Sequence, residues 1–559
     1  MKRALAAFIL ASIVVLPLSA GSQTVAAHAA LSTISPIATS VGLATLRRGG
    51  NAIDAAVAVS FALAVAHPQA GNIGGGGFLV YYEAKTRSVW ALDYREVAPL
   101  DAKRDLYVQA NGDPNLSIRT GPLSAAVPAS VAGLSEMRRR FGSRPWAELL
   151  GPAIRLARDG FAIDLQLSSD LLIAAKERHI DQFPSTAALF YPDGKAVAAG
   201  ARLVQTDLAQ TLERLARGGA AGFYEGNLAG GIVKAVKDHG GLLSLRDLRE
   251  YKPIWRAPIR LVCGRYSLYT VPPPSGGAIV LGESLSILST LDLAASGRGT
   301  ARTIHLMAEA ERRAYIDRNR YLGDPAVTRI PYRELFSEQH ARRWRSTIDP
   351  AHATATSTLT APEQIEDPPH TTHFSIVDAE GNIAAVTTTL NENFGSGFVV
   401  PGAGFFLNND MDDFTVTVGR PNAHEMSQSE ANAIAPQKRM ASSMTPTIIL
   451  KDNIPWLVLG TRGGATIPTT VLQVFLNMTV FGQSLYDAVA APRFHEQALP
   501  DVIFYERERS TPALLDQIVQ LGHAVREREP IGDVEAILIE PGRLTAVADP
   551  RNGGASGGY

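Results

Sequence analysis

"EDPPHTTHFSIVDAEGN", residues 366–382, decides how this chain is read. A Pro-Pro-His run ends at His370, two threonines follow, and a strand-like segment opens at once. Downstream, "HFSIVDAEGNIAAVTTTL" reads as two strands about an Asp-Ala-Glu-Gly-Asn turn. With Glu380 at the centre of that turn, antiparallel pairing sets Thr371 opposite Thr389, and Asn391 comes next on the same face. One hairpin thus gathers two hydroxyls and an amide.

A threonine hydroxyl is a poor nucleophile without a base beside it. An N-terminal threonine carries that base as its own α-amine, whose ordinary pKa of about 7.7–8.0 leaves a useful neutral fraction near pH 7. An internal threonine has none. The residue pattern therefore implies a cut between His370 and Thr371, by attack of Thr371 on the His370 carbonyl and hydrolysis of the ester that results. Two threonines before a strand also suit a strand on propensity alone, so the pair does not by itself establish catalysis.

A second hairpin, "ASSMTPTIILKDNIPWLVLGTRGGAT" (441–466), turns at Asn453 and sets Ser443 opposite Gly463. The pair Ser442-Ser443 then lies beside Gly463-Gly464, whose backbone N–H groups can be aimed at a developing oxyanion. Between the hairpins, "GFFLNNDMDDF" (404–414) clusters Asp410, Asp412 and Asp413, without the spacing of a calcium loop.

Working outward, "RRGGNAIDAAVAVSFALAVAHP" (47–68) closes one helix at Gly49-Gly50 and starts a second, Ala/Val-rich helix at Asn51 and Asp54, expected to be buried all round. The loop "GNIGGGGF" (71–78) follows a helix and precedes a strand, the reverse of a dinucleotide-binding order, so it is read as a place of close backbone approach. "ALDYREVAP" (91–99) reads as a strand ending in Arg95-Glu96, 160–250 as mainly helical and 262–289 as a strand pair, a Pro/Ser/Gly loop and a helix. Residues 305–325 read as a long polar helix, and 345–370 as a flexible arm.

The 559 residues imply two to four domain-sized units or one large layered fold. A net charge of −1 gives no bias toward nucleic acid, membranes or acidic polymers. The single cysteine, Cys263, sits in an alternating pattern and is expected to be a buried strand thiol; nothing has zinc-ligand spacing, and no metal is expected. Lys2 and Arg3 ahead of an apolar run imply a leader, residues 1–20, cut near Ala20 or as late as Ala29. The exported remainder is then expected to be soluble, with no membrane contact.

Taken together, these stretches resemble bacterial gamma-glutamyltransferases (glutathione hydrolases), N-terminal-nucleophile hydrolases. The resemblance is carried by the segments at 47–78 and 92–99, "PPPSGG", "YLGDP", "TTHFSIVDAEGNIAAVTTTLN", "LNNDMDDF", "KRMASSMTPTI", "RGGATIPTTVLQV" and "APRFH". It implies an α+β fold, a four-layer αββα sandwich built from a large subunit (21–370) and a small catalytic subunit (371–559) of one self-cleaved precursor, paired as a heterodimer. It implies Thr371 as nucleophile, Thr389 as its assistant, and Gly463 and Gly464 as the oxyanion hole. Arg95, Ser442 and Ser443 would hold a donor's α-carboxylate; Asn391, Asp410 and Asp413 would hold its α-amino group. The substrates implied are glutathione or other gamma-glutamyl compounds, with water, amino acids or dipeptides as acceptors, in the periplasm and without a cofactor. Two departures stand out: Asp410 occupies a position usually Gln or Glu, and His424 stands where an aromatic lid residue often sits. An acylase of the same fold, for glutaryl or γ-polyglutamyl substrates, and an exported amino-acid-binding protein are the alternatives.

Overall fold

The computed structural model describes residues 22–289, 291–359, 371–418, 429–528 and 530–559. The expected leader, the scissile His370 and the lid stretch with His424 lie outside the described residues.

Asn51 and Asp54 begin the second helix as a reciprocal cap. The Asn51 side chain accepts from the Asp54 N–H at 2.9 Å, and the Asp54 carboxylate accepts from the Asn51 N–H at 3.0 Å. The helix they open, Ala52–Ala66, is buried along its whole length. It packs among Pro36–Arg47, Ser130–Phe141 and Trp146–Asp159, which together cover one face of a sheet.

Two seven-stranded sheets form the middle of the molecule. One runs, edge to edge, Gln23–Ala26, Arg543–Ala548, Asp533–Glu540, Ile454–Arg462, Thr447–Lys451, Tyr266–Thr270 and Ile259–Cys263. The other runs Ala555–Gly558, Ala30–Thr33, Thr372–Val377, Ile383–Thr389, Gly76–Glu83, Ser88–Tyr94 and Ile254–Arg256. An apolar cluster with Val80, Ala385, Ile448, Val458 and Ile537 fills the space between them. A second, with Leu31, Phe374, Ile376 and Val386, joins the latter sheet to its helices. A third, with Leu268, Ile449, Leu457 and Val471, joins the former to Gly277–Leu288, Ala301–Tyr321 and Thr466–Thr479. The order is helices, sheet, sheet, helices: a four-layer αββα sandwich.

The central hairpin has the expected register, Thr372 with Thr388 through to Val377 with Ile383. Its turn is tied by Asp378, whose carboxylate accepts from the Glu380 and Asn382 N–H groups at 2.9 Å each and from the Ala52 N–H at 2.8 Å. The glycine loop also behaves as expected. A Cβ on Gly75 would lie 2.0 Å from the Thr389 carbonyl oxygen, and one on Gly76 2.5 Å from that of Tyr94.

Three expectations need correction. The second hairpin pairs Thr447 with Leu459, but its ladder stops there and Ser443 is not paired with Gly463. Pro446 has no N–H to continue it. Instead the Ser442 N–H donates to the Pro274 carbonyl (2.9 Å) and its carbonyl accepts from Gly276 (2.8 Å). The arm is fastened over its described part, where Ala353 donates to the Leu521 carbonyl (2.7 Å) and Thr356 to Asp501 (2.7 Å). Cys263 is half-buried, not fully buried, at the end of an edge strand. The long polar helix read over 305–325 spans Ala301–Tyr321, and its charges are buried with partners inside: Arg313 with Glu309 at 2.7 Å, and Asp317 with His340 at 2.8 Å.

Because Gly75 admits no side chain beside the Thr389 carbonyl, Gly75→Ala should destabilise the fold by about 1–3 kcal/mol, the usual range for overpacking. Denaturant unfolding of parent and variant measures this.

Candidate active site

Thr371 stands one residue before the central strand and is buried. Its hydroxyl oxygen lies 3.5 Å from that of Thr389. Thr389 Oγ1 accepts the Asn391 N–H at 2.9 Å, and Asn391 adopts φ 77°, a left-handed conformation asparagine tolerates. The chain therefore turns sharply just past the second hydroxyl. Asn72 steadies this corner: its amide donates to the Thr389 carbonyl (2.9 Å), and its oxygen accepts from the Gly75 N–H (2.9 Å) and the Ser130 hydroxyl (2.6 Å).

His373, two residues on, is no base for Thr371. Burial lowers its pKa to about 3, and its ring nitrogens engage Thr387 (2.8 Å) and Ser375 (3.1 Å). It is a neutral strut between the sheets, seated where Gly460 leaves room: a Cβ there would lie 2.3 Å from the ring.

Gly463 (φ 135°) and Gly464 (φ 56°) link the strand Ile454–Arg462 to the helix Thr466–Thr479. Their carbonyls accept from the Thr466 and Ile467 N–H groups at 3.0 and 3.2 Å. They thus sit at the positive end of a 14-residue helix, where a developing negative charge is favoured. The Tyr315 hydroxyl, from the long buried helix, donates to the neighbouring Ala465 carbonyl.

Arg95 faces the threonines across a cavity also lined by Thr371, Thr389, Asn391, Asp413, Ser442, Ser443 and Gly464, with Met444 and Ile467 as apolar wall. Its volume of about 20 Å³ holds roughly one water, so it must widen to admit a larger group. Arg95 is fully buried and meets Asp410 at 2.6 Å, Glu96 at 3.2 Å and Asp413. Burial disfavours its charge, but the carboxyls more than offset this and keep it protonated. Its backbone is fixed as well: its N–H donates to Asp93 (2.9 Å) and its carbonyl accepts from the Tyr251 hydroxyl (3.0 Å). Of the residues singled out in the sequence, Asp410 lies behind Arg95 and Gly463 behind Gly464, off the cavity wall. The sequence reading missed Asn72, Glu96 and Tyr315 as parts of this site. An asparagine next to a glycine run was the one available signal.

A profile of the Gamma-glutamyltranspeptidase family matches residues 38–559. The chain belongs to the gamma-glutamyltranspeptidase family. Among relatives, the "Glutathione hydrolase proenzyme" of Escherichia coli (strain K12) is 40% identical over 528 residues, covering 93% of this chain and 90% of its own. That of Pseudomonas aeruginosa is 41% identical over 525 residues, with 91% and 90% covered. Among solved structures, the cephalosporin acylase from Bacillus halodurans superposes with a TM-score of 0.85 at 26% identity, covering 99% of each chain.

Removing Arg95 from this family member leaves buried carboxyls without their cation. Arg95→Ala should cost about 3–5 kcal/mol of stability near neutral pH. The loss should shrink in acid as the carboxyls take up protons. Unfolding measured against pH tests both statements.

Proposed function

We propose that this protein is a gamma-glutamyltransferase and glutathione hydrolase that matures by cutting itself before Thr371. The observation that carries the reading is the meeting of two hydroxyls 3.5 Å apart with Gly464 and Arg95 on one cavity wall. In maturation, Thr371 Oγ attacks the His370 carbonyl, the peptide bond breaks as an ester forms, and water releases the His370 carboxylate. The α-amine of Thr371 is thereby freed beside its own hydroxyl.

In turnover the neutral amine takes the Thr371 hydroxyl proton as the oxygen attacks the γ-carbonyl of glutathione or a related donor. The oxyanion is received by the Gly464 amide on the cavity wall, in the turn that Gly463 forms with it, and the proton passes to the leaving amine. Water, an amino acid or a dipeptide then takes the glutamyl group from the ester. Arg95, Ser442 and Ser443 hold the donor's α-carboxylate and Asn391 and Asp413 its ammonium, with Asp410 supporting Arg95 from behind, so that only the γ-carbonyl reaches Thr371. No step calls for a metal or an organic cofactor.

The large and small subunits remain paired as a heterodimer, since both sheets draw strands from either side of residue 371. Export to the periplasm, with the leader removed before Ser22, fits the pairing of Gln23–Ala26 with Arg543–Ala548, an edge strand that a cut at Ala29 would remove. Among the described residues, no helix is long and apolar enough to cross a membrane. A second reading, an acylase for glutaryl substrates, has in its support only that the Bacillus halodurans cephalosporin acylase has the same fold.

Thr371→Ala should remain a single uncut chain with no transfer or hydrolysis. Thr389→Ala should cut slowly and lose roughly 10²-fold in kcat/KM, the low end for a lost proton-handling partner. N-terminal sequencing of the smaller fragment and assays with γ-glutamyl and glutaryl anilides check these expectations. Preference for the glutaryl anilide selects the second reading. An uncut, inactive parent chain excludes both and points to an amino-acid-binding protein.

A further inference from the structure

Glu96 is fully buried and has no part in the mechanism above, yet it sits against two residues that do. Glu96 and Asp410 both reach the same guanidinium nitrogen of Arg95, at 3.2 and 2.6 Å. The two carboxyls also touch each other. Each retains one oxygen, Glu96 Oε1 and Asp410 Oδ2, that no donor meets. Ionised carboxylates only accept, so two of them in contact leave both of these acceptors stranded; one proton between them supplies the missing donor. Two like charges this close in a dry site do not both persist. Burial and then Asp410 push Glu96 well above the carboxylate range, and burial raises Asp410 against the pull of Arg95. Gly76 makes room for the pair: a Cβ there would lie 2.6 Å from the Glu96 carboxyl carbon.

We propose that Glu96 and Asp410 share one proton as a carboxylic acid–carboxylate pair, which positions Arg95 for the donor's α-carboxylate and leaves the ammonium group to Asp413 and Asn391. The ligand half of this inference rests on the γ-glutamyl reading; the proton half does not. Asp413 and Asn391 line the cavity and Asp410 does not. The short Asp410 side chain ends on Arg95 and Glu96. With the proton in place, Arg95 faces two negative charges; without it, three, and the third repels an incoming α-carboxylate. The other groups about the pair are Arg95 itself, Asp413, and the phenols Tyr94, Tyr224 and Tyr251, all three pushed up by burial. Arg318, beyond Asp413, is lowered by burial to about 10 and stays cationic near neutral pH.

The test compares the mature heterodimer with Glu96→Gln, which keeps the shape and the neutral form, and with Glu96→Ala and Glu96→Asp. Infrared difference spectra of parent minus Glu96→Gln near pH 7 should show a protonated-carboxyl carbonyl band that belongs to the parent, over the common background of the buried Glu283, Glu311 and Glu535. KM for a γ-glutamyl anilide should rise on the alkaline side in the parent and stay level in Glu96→Gln. Glu96→Ala should raise KM roughly tenfold with less effect on kcat, the size of one lost charge-assisted bond. Because the acid's folded pKa is raised, the parent should lose stability as pH rises from the ordinary carboxylate range upward, and Glu96→Gln should lose it less steeply, by about one proton's worth of slope. An absent band, or a Glu96→Gln as damaged as Glu96→Ala while Glu96→Asp is active, overturns the shared proton. A protein that shows the band but transfers no γ-glutamyl group leaves the pair standing and fails the function reading instead.

Discussion

The strand Thr372–Val377 is held on both edges, by Ala30–Thr33 and by Ile383–Thr389, and the site depends on that placement. Its odd and even residues go to different worlds. Phe374 and Ile376 join the apolar layer under the helices, whereas His373 and Ser375 bond to groups in the space between the sheets. A slip of one residue would exchange those sets. It would drive His373 into a helix-packed core and turn Thr371 and Thr389 away from Gly464 and Arg95. The register is thus fixed by burial on both faces, and the distance between the two hydroxyls follows from it.

The same arrangement would let the chain tolerate the break proposed ahead of Thr371. In the sheet that carries Thr371, strands from before and after that residue are hydrogen-bonded to one another at three places: Ala555–Gly558 to Ala30–Thr33, that strand to Thr372–Val377, and Ile383–Thr389 to Gly76–Glu83. The other sheet adds two more, Gln23–Ala26 with Arg543–Ala548 and Tyr266–Thr270 with Thr447–Lys451. A break ahead of Thr371 releases an amine and leaves these ladders whole. The fold holds the position of the amine without needing the covalent bond that precedes it.

What the sequence made legible was local. The Asn51–Asp54 cap, the central hairpin's register and the close-approach role of the glycine loop each depend on residues a few positions apart, and periodicity and turn chemistry report such relations. What it hid were relations between distant segments. Ser442 bonds to the Pro/Ser/Gly loop about 170 positions away in sequence, so extrapolating its hairpin past Pro446 misplaced it. The charges of Ala301–Tyr321 pair partly within the helix, Arg313 with Glu309, and partly with another element, Asp317 with His340, and only the first kind is local in sequence. Arg95 looks like half of a surface ion pair when only Glu96 is considered; its two further carboxyls arrive from a turn more than 300 residues on.

That cluster is also the part of the structure that stability alone does not explain. A guanidinium and three carboxyls are held away from water, and well-packed apolar side chains of similar volume are often as stable as a buried ion cluster or more so. What the charges provide is a set of polar groups already desolvated and already oriented. A zwitterionic head group entering such a site exchanges partners with it: its carboxylate takes over contacts to the guanidinium, and its ammonium takes over contacts to a carboxylate the guanidinium releases. The number of charges buried rises, but each still finds an opposite partner, so little of the binding energy is spent on desolvating the protein. A neutral pocket would have to supply that compensation from the ligand alone, and could not tell an α-amino acid head group from any other group of its size.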